Sequence, residues 1–363
     1  MSKQSQTEPG QYRVGIVGLS WITSDPARAG THPALGSAPP HSHISSLAEI
    51  PSVQVVAGCD IVPEARDRFV DTWSHKWPGV NVYDDYRTMI DAEGLDILCV
   101  ATPDHLHGDV VRYAAEQKVR GIFCEKPISV SLEDADSMIE SIENHQVTVN
   151  INNTRRWVPI YVAAREAIRS GTIGTLQQIN IHFGGERAIL WRNHSHFLDL
   201  FSYFAESTPE WVVGELESSH DDYGLIYKGD GGRTADLEPG VNAYIAYQNG
   251  IRGFLSGMKA GAAQLSVQLI GSSGRIDLDD KFGQIVHTTD LGTSRTPLVA
   301  ESTMQSMHAG IVDLIHAMET GAEPQSPPSE ARKTVLLIEG ILESHKRGNS
   351  RIDLTVPVAQ GAR

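Results

Sequence analysis

Over the first 150 positions, apolar residues come in short unbroken runs separated by stretches with helical spacing. Residues 12–19 (Y-R-V-G-I-V-G-L), 53–60, 80–83, 95–101, 119–123 and 147–151 read as strands, several of them apolar at successive positions. A strand without in–out alternation is one covered on both faces, which is the habit of a parallel sheet. Between these runs, 65–73, 85–92, 106–117 and 131–144 carry apolar residues three and four apart. The last of them opens on Ser131 with Asp134 three residues on, a helix-capping signal. Alternation of this length predicts an α/β domain with a doubly wound parallel sheet of Rossmann type and right-handed crossovers.

From residue 160 the pattern changes. A helix over 160–170 stops at Gly171, 176–183 alternates like a half-exposed strand, and 197–205 is helical. Segments 211–217, 243–248, 253–258, 264–270 and 275–278 are strand-like, joined by turns such as Gln248-Asn249-Gly250 and Gly271-Ser272-Ser273-Gly274. This predicts an α+β domain with a large, mostly antiparallel open sheet, one face covered, completed by helices over 306–320 and 330–345. We expect two domains, 1–150 and 151–363, with the terminal helix packing back on the first.

Composition narrows the function. The hydrophobic (40%) and charged (21%) fractions are those of ordinary soluble globular proteins. A formal charge of −15 argues against a nucleic-acid or anionic-membrane surface, because both require clustered Lys and Arg. No apolar stretch is long enough to span a bilayer, and residues 1–11 are polar, without a secretory core. Cys59, Cys99 and Cys124 lie in or at the end of apolar runs with no C-x-x-C spacing, so buried thiols in a reducing cytoplasm are expected.

Candidate chemistry gathers at strand ends. Glu125-Lys126-Pro127 follows the run 119–123, and open α/β sheets bind ligands beyond the carboxyl ends of their strands. A charged pair there points at a ligand, with a surface salt bridge as the plainer alternative. After the first strand comes Gly18-Leu19-Ser20-Trp21-Ile22-Thr23. A dinucleotide fingerprint has glycine at three of these places; only Gly18 is present, with Ser20 and Thr23 in the other two. Residues 21–40 read as an insertion, either a lid over the crevice or a surface excursion. Asp60 ends the second strand, where a carboxylate binds the ribose hydroxyls of NAD and repels the 2′-phosphate of NADP; its other reading is a cap for the helix opening at Pro63. Three His-x-His pairs, His41/His43, His105/His107 and His194/His196, leave a metal-dependent hydrolase as a rival reading. Two of the pairs fall at predicted helix starts, where alternate side chains diverge, and no metal is the favoured reading.

Residues 15–19, Asp60, Thr102-Pro103-Asp104 with His107, Glu125-Lys126-Pro127 and His196 with Asp199 occur in this order over nearly the whole chain. In this the chain resembles the Gfo/Idh/MocA oxidoreductases. The resemblance implies an NAD(P)-dependent enzyme that interconverts a secondary alcohol and a ketone on a sugar, sugar derivative or cyclitol. It places Gly18, Leu19, Ser20, Trp21, Ile22, Asp60, Thr102, Pro103, His105, His107, Glu125 and Lys126 around NAD, with Thr102 and Pro103 on the nicotinamide side. Lys126 then reaches the ribose and the substrate hydroxyl, His196 is the general base, and Asp199 binds a neighbouring hydroxyl or orients His196. Arg156, Trp157, Tyr161, Arg192 and His194 are candidates for contact with a polyhydroxylated substrate, with a structural role at the domain junction the favoured reading for some of Arg156, Trp157 and Tyr161, and the open sheet is expected to form a homodimer or homotetramer. One departure stands out. Many members carry aspartate four residues before the histidine, and here that position is Arg192. A guanidinium lowers the proton affinity of a nearby imidazole, and a neutral histidine still accepts a proton. The missing glycines and Arg192 favour a second alternative, a regulatory protein that binds NAD without turnover.

Overall fold

The computed structural model describes residues 11–25, 42–227, 229–300 and 306–354. The N-terminal tail and most of the 21–40 insertion, together with His41, lie outside the described residues. The chain divides into two compact units, Met1–Pro159 with Glu301–Arg332 and Ile160–Ala300 with Lys333–Arg363.

The helices, in chain order, are α1 (Trp21–Ser24), α2 (His43–Leu47), α3 (Pro63–Trp73), α4 (Tyr86–Glu93), α5 (His107–Glu116), α6 (Leu132–His145), α7 (Pro159–Arg169), α8 (Ser195–Ala205), α9 (Ser306–Thr320) and α10 (Pro328–Lys346). In the first unit β1 (Tyr12–Val17), β2 (Val53–Cys59), β3 (Asn81–Tyr83), β4 (Ile97–Val100), β5 (Gly121–Cys124) and β6 (Thr148–Ile151) make one parallel sheet, ordered β3-β2-β1-β4-β5-β6. Val14 of β1 faces Val55 on one side and Ile97 on the other. Every residue of β4 and β5 is buried, which is why their sequences read as unbroken apolar runs. Strand order reverses between β1 and β4, and the crevice at such a reversal is where this architecture holds ligands.

Side chains cap the helices that frame this sheet. Ser42, Asp85 and Ser131 accept from backbone N–H groups in the first turns of α2, α4 and α6. Residues 301–332 belong to the first unit because α9 lays an apolar face on it: Met307, Ile311 and Leu314 are fully buried in the same core as Val14, Ile97 and Phe123. Gly310 makes that contact close. A Cβ there would stand 2.9 Å from the Phe123 ring.

The second unit is a sheet of β7 (Leu176–Gly184), β8 (Pro209–Leu216), β9 (Val241–Tyr247), β10 (Arg252–Met258), β11 (Gln264–Gly271), β12 (Arg275–Leu278), β13 (Gly283–Thr289), β14 (Gly292–Pro297) and β15 (Ile352–Asp353). Its order is β14-β13-β12-β11-β7-β10-β9-β8-β15, antiparallel except where β7 meets β10. One face is covered: Gly253 lies on Phe201 of α8, and Gly214 lies on Ile341 of α10. On the other face Trp211 meets Tyr244 edge-on at 4.9 Å, and Tyr244 stacks on Phe254 at 4.8 Å. The β13–β14 hairpin escaped the sequence reading. Every residue of β14 is exposed, so its Gly-Thr-Ser-Arg-Thr-Pro carries no apolar alternation to detect. Among the described residues no helix is long and apolar enough to cross a membrane.

Candidate functional site

The loop after β1 is built on one glycine. Gly18 has φ +87 and donates to the Cys59 carbonyl at 2.8 Å; a Cβ there would stand 2.5 Å from the Ala101 carbonyl oxygen. No other residue type fits that turn without displacing β4. Leu19 N–H then donates to Asp60 Oδ2 at 2.7 Å, and Val62 N–H donates to Asp60 Oδ1 at 2.9 Å. Asp60 therefore ties the loop to the end of β2 and also caps the approach to α3. The two sequence readings of this residue are compatible, because a carboxylate has lone pairs left after two such bonds. Arg66 donates to the Asp60 carbonyl at 2.6 Å, which brings a guanidinium to the same strand end. Ser20 takes the second glycine's place and starts the turn of α1, its carbonyl accepting from Thr23 and Ser24. The first amides of that turn, Trp21 and Ile22, have no partner within the helix. Thr23, at the third glycine's place, is fully buried.

The second cluster joins the ends of β4 and β5. His107, fully buried at the start of α5, puts Nδ1 2.8 Å from the Pro127 carbonyl and Nε2 3.1 Å from the Thr102 carbonyl. A neutral imidazole has one N–H, so it donates to one of these oxygens and packs against the other. The ring pins the Thr102-Pro103 loop to the Lys126-Pro127 turn, whose peptide is cis. His105, two residues earlier, is exposed. Thr102 Oγ1 is buried and has no partner among the described residues.

Lys126 is 5% exposed and Glu125 is 7% exposed. Glu125 Oε1 lies 3.0 Å from His43 Nε2 and accepts from Asn152 Nδ2 at 2.6 Å, while Oε2 accepts from the Lys126 amide at 3.3 Å. Burial alone would push this carboxyl up; the bond and charge of His43, the charge of Lys126 and the Asn152 bond outweigh it and hold the carboxyl at about 2. Lys126 thus follows an ionised carboxylate. Nothing along the chain points to His43 and Asn152 in this role: they stand 82 and 27 residues from Glu125.

In the second unit, Leu190–His194 forms a π turn that runs into α8, with His194 N–H on the Ile189 carbonyl at 2.9 Å. Wide turns of this kind recur at functional sites. His196 and Asp199 sit three apart on α8 and are both buried. Glu238, fully buried, holds the entry to this helix: Oε2 accepts from the amides of Trp191 at 2.7 Å and Arg192 at 3.2 Å, and Tyr227 donates to Oε1. This residue was missed, since a lone glutamate ahead of Pro239-Gly240 looks like loop. Arg192 is half-buried and packs its side chain against Gly232, whose carbonyl accepts from Arg187 at 2.9 Å.

Four of the candidate substrate residues have structural partners within their own units. Arg156 is buried and donates to the Gln325 carbonyl at 2.8 Å, with Glu330 at 3.5 Å. Trp157 packs on Phe123 and Gly310 in the first core. Tyr161 is fully buried, donates to Asp280 at 2.6 Å and lies against Phe204. His194 sits edge-on between Phe183 and Phe197, in space left by Gly257, and desolvation pulls its proton affinity down to about 3. Each is a framework residue of its own unit. The His-x-His pairs separate as well: His43 serves Glu125, His105 and His107 differ in burial, and no three His, Cys, Asp or Glu converge among the described residues.

The first unit therefore fits a dinucleotide. The turn at Gly18 lies tight against the Ala101-Thr102 backbone, Asp60 keeps acceptor capacity, and Thr102 Oγ1 has no partner among the described residues at the strand-order reversal. Such a fold and site define an oxidoreductase of the dinucleotide-binding class. Residues 12–153 match the family model for oxidoreductases with an NAD-binding Rossmann fold, and residues 161–277 match the GFO/IDH/MocA C-terminal domain. The chain belongs to the Gfo/Idh/MocA oxidoreductase family. It is 25% identical to D-apiose dehydrogenase of Paraburkholderia graminis over 85% of either chain. It is 30% identical to inositol 2-dehydrogenase of Salmonella typhimurium over 47% of this chain and 44% of that one. An Agrobacterium radiobacter oxidoreductase, solved with NAD+, L-tartaric acid and magnesium, superposes with a TM-score of 0.73 at 18% identity, covering 95% of this chain and 98% of that one. That last likeness concerns the fold.

Proposed function

We propose that the protein is an NAD-dependent dehydrogenase that interconverts a secondary alcohol and a ketone on a sugar, sugar derivative or cyclitol. The observation that carries this reading is the seat of Lys126, a buried amine at the carboxyl end of β5 beside the Thr102 loop, with an ionised carboxylate next to it. Relatives named for apiose and inositol oxidation support the substrate class. Asp60 supports NAD over NADP, with the nearby Arg66 as the group that would favour NADP.

When bound, NAD supplies the acceptor for the hydride leaving the carbinol carbon. The chain's own residues manage the oxygen. Lys126 donates to it and stabilises the negative charge that develops as the proton leaves. His196 takes that proton, and Asp199 orients the ring or holds a neighbouring hydroxyl. Arg192 contacts the substrate from the π turn. Gly18, the amides of α1, Asp60, Thr102 and Pro103 hold the dinucleotide.

The test mixes protein and NAD with a panel of sugars and cyclitols and follows the absorbance of reduced nicotinamide. Lys126→Ala and His196→Ala are each expected to lower turnover by about a hundredfold or more with NAD still bound. Unchanged turnover in either variant removes that residue from the mechanism. The alternative of an NAD-binding protein without turnover rests on Ser20 and Thr23 at glycine positions; it predicts NAD binding and no reduction with any member of the panel. We further assign self-association, as a homodimer or homotetramer, to the Trp211–Tyr244–Phe254 face, where Phe254 is 41% exposed. Sedimentation of Phe254→Lys should then report a smaller species than the unaltered protein. The three buried free thiols suit a reducing cytoplasm.

A further inference from the structure

Glu125 is embedded more deeply than ligand contact alone requires, and the residue that embeds it is His43. The capping box at Ser42 starts α2 in such a way that its first residue, His43, is fully buried. The ring lies edge-on to Phe123 at 5.2 Å. Phe123 and Glu125 are two apart on an extended chain and so point to the same side. Packing on the first therefore delivers His43 Nε2 to the carboxylate of the second, at 3.0 Å. Asn152, just past β6, brings a second donor to the same oxygen at 2.6 Å, leaving the other oxygen to the Lys126 amide. An ionised carboxylate accepts only, so Nε2 carries the proton. Nδ1 is buried with no partner among the described residues, so the ring meets hydrogen-bonding groups only through Nε2.

We infer that His43 is a positioning residue for Lys126: by donating to Glu125 and holding the carboxylate ionised in one orientation, it fixes the residue that carries the amine and keeps the ammonium aimed at the reacting oxygen. This rests on the proposed role of Lys126. Without the His43 donor, the buried carboxylate satisfies itself by turning to the nearest cation, one residue away, and withdraws it from the substrate. Asn152 and the Lys126 amide alone cannot prevent this, because two donors leave part of a buried carboxylate's acceptor capacity unmet.

The experiment uses the full-length protein, NAD and the polyol that the unaltered enzyme oxidises. His43→Phe keeps the ring and its contact with Phe123 but removes the donor; His43→Gln restores an N–H. His43→Phe should lower kcat by about ten- to a hundredfold, the range for losing a group that orients another. KM for NAD and the melting temperature should stay close to those of the unaltered protein, and His43→Gln should recover much of the loss. A readout independent of turnover is the 13C resonance of the reductively methylated lysine, assigned to Lys126 by its absence in Lys126→Met. It should move in His43→Phe and in Glu125→Gln. If Lys126→Met turns over normally, the catalytic reading fails. If Lys126→Met is inactive while His43→Phe and Glu125→Gln match the unaltered enzyme in kcat and resonance, the positioning role is overturned. A lowered melting temperature with kcat per folded molecule unchanged overturns it as well, since that is the mark of a purely structural residue.

Discussion

One buried ionisable group in each unit, Glu125 and His194, is kept by opposite means. In the first, Glu125 is buried as an anion and surrounded by donors from three separate elements: His43 at the start of α2, Asn152 after β6 and the Lys126 amide. In the second, His194 is buried as a neutral ring among aromatic side chains, with desolvation as the dominant influence. A charge that chemistry needs is worth a polar network; a ring that fills space needs only to stay uncharged. The sheets differ in the same sense. The parallel sheet hides its strands and exposes function only at their carboxyl ends, whereas the antiparallel sheet has one covered face and one aromatic face.

Acid titration should separate the units. The folded-state affinity of His194 lies near 3 against an ordinary 6.5, so the unfolded chain binds the extra proton between those values. Stability drawn from this group is complete above pH 6.5 and falls as pH drops towards 3, by about 5 kcal/mol in all. Glu125 is lowered from 4.5 to about 2, so its contribution is complete above pH 4.5 and is lost as pH falls through 2, about 3 kcal/mol. Hydrogen exchange followed from pH 7 to 4 should therefore show α8 losing protection before β5 does. His194→Leu should flatten the response of α8 and leave that of β5 as it was; simultaneous loss in both elements would break the contrast.

The smallest effect tests the reassignment of Tyr161. Tyr161→Phe removes the bond to Asp280 and should cost about 1 kcal/mol in urea-melt stability, with kcat and KM unchanged. A raised KM for the polyol would return Tyr161 to the substrate.

Much of this was legible beforehand, for reasons visible in particular residues. β4 and β5 announce themselves because they are buried on both faces, and Lys126 because a charged residue interrupts such a run at its end. Gly18 is legible because the turn after the first strand leaves no room for a Cβ. Arg156, Trp157 and Tyr161 stayed open between two readings because polar and aromatic residues after a last strand look alike whether they face a ligand or lock a framework. A terminal helix returning to the first domain was expected, but not that α9 would be the one, since an amphipathic helix does not name the sheet it covers.

By itself the sequence determined most of the strands and helices, that the first sheet is parallel and the second mostly antiparallel, and where along the chain the amine, imidazole and carboxylates lie. Those properties follow from local periodicity and from side-chain types at strand ends. Only the tertiary structure decided what each buried polar group answers to: that His43 and Asn152 meet at Glu125, that His107 bridges two loops, that Glu238 caps the turn before His196, and that His194 belongs to the core. Partners of this kind are chosen by distance in space and by the cost of leaving a buried charge or N–H unmatched, and neither is written into the neighbouring residues.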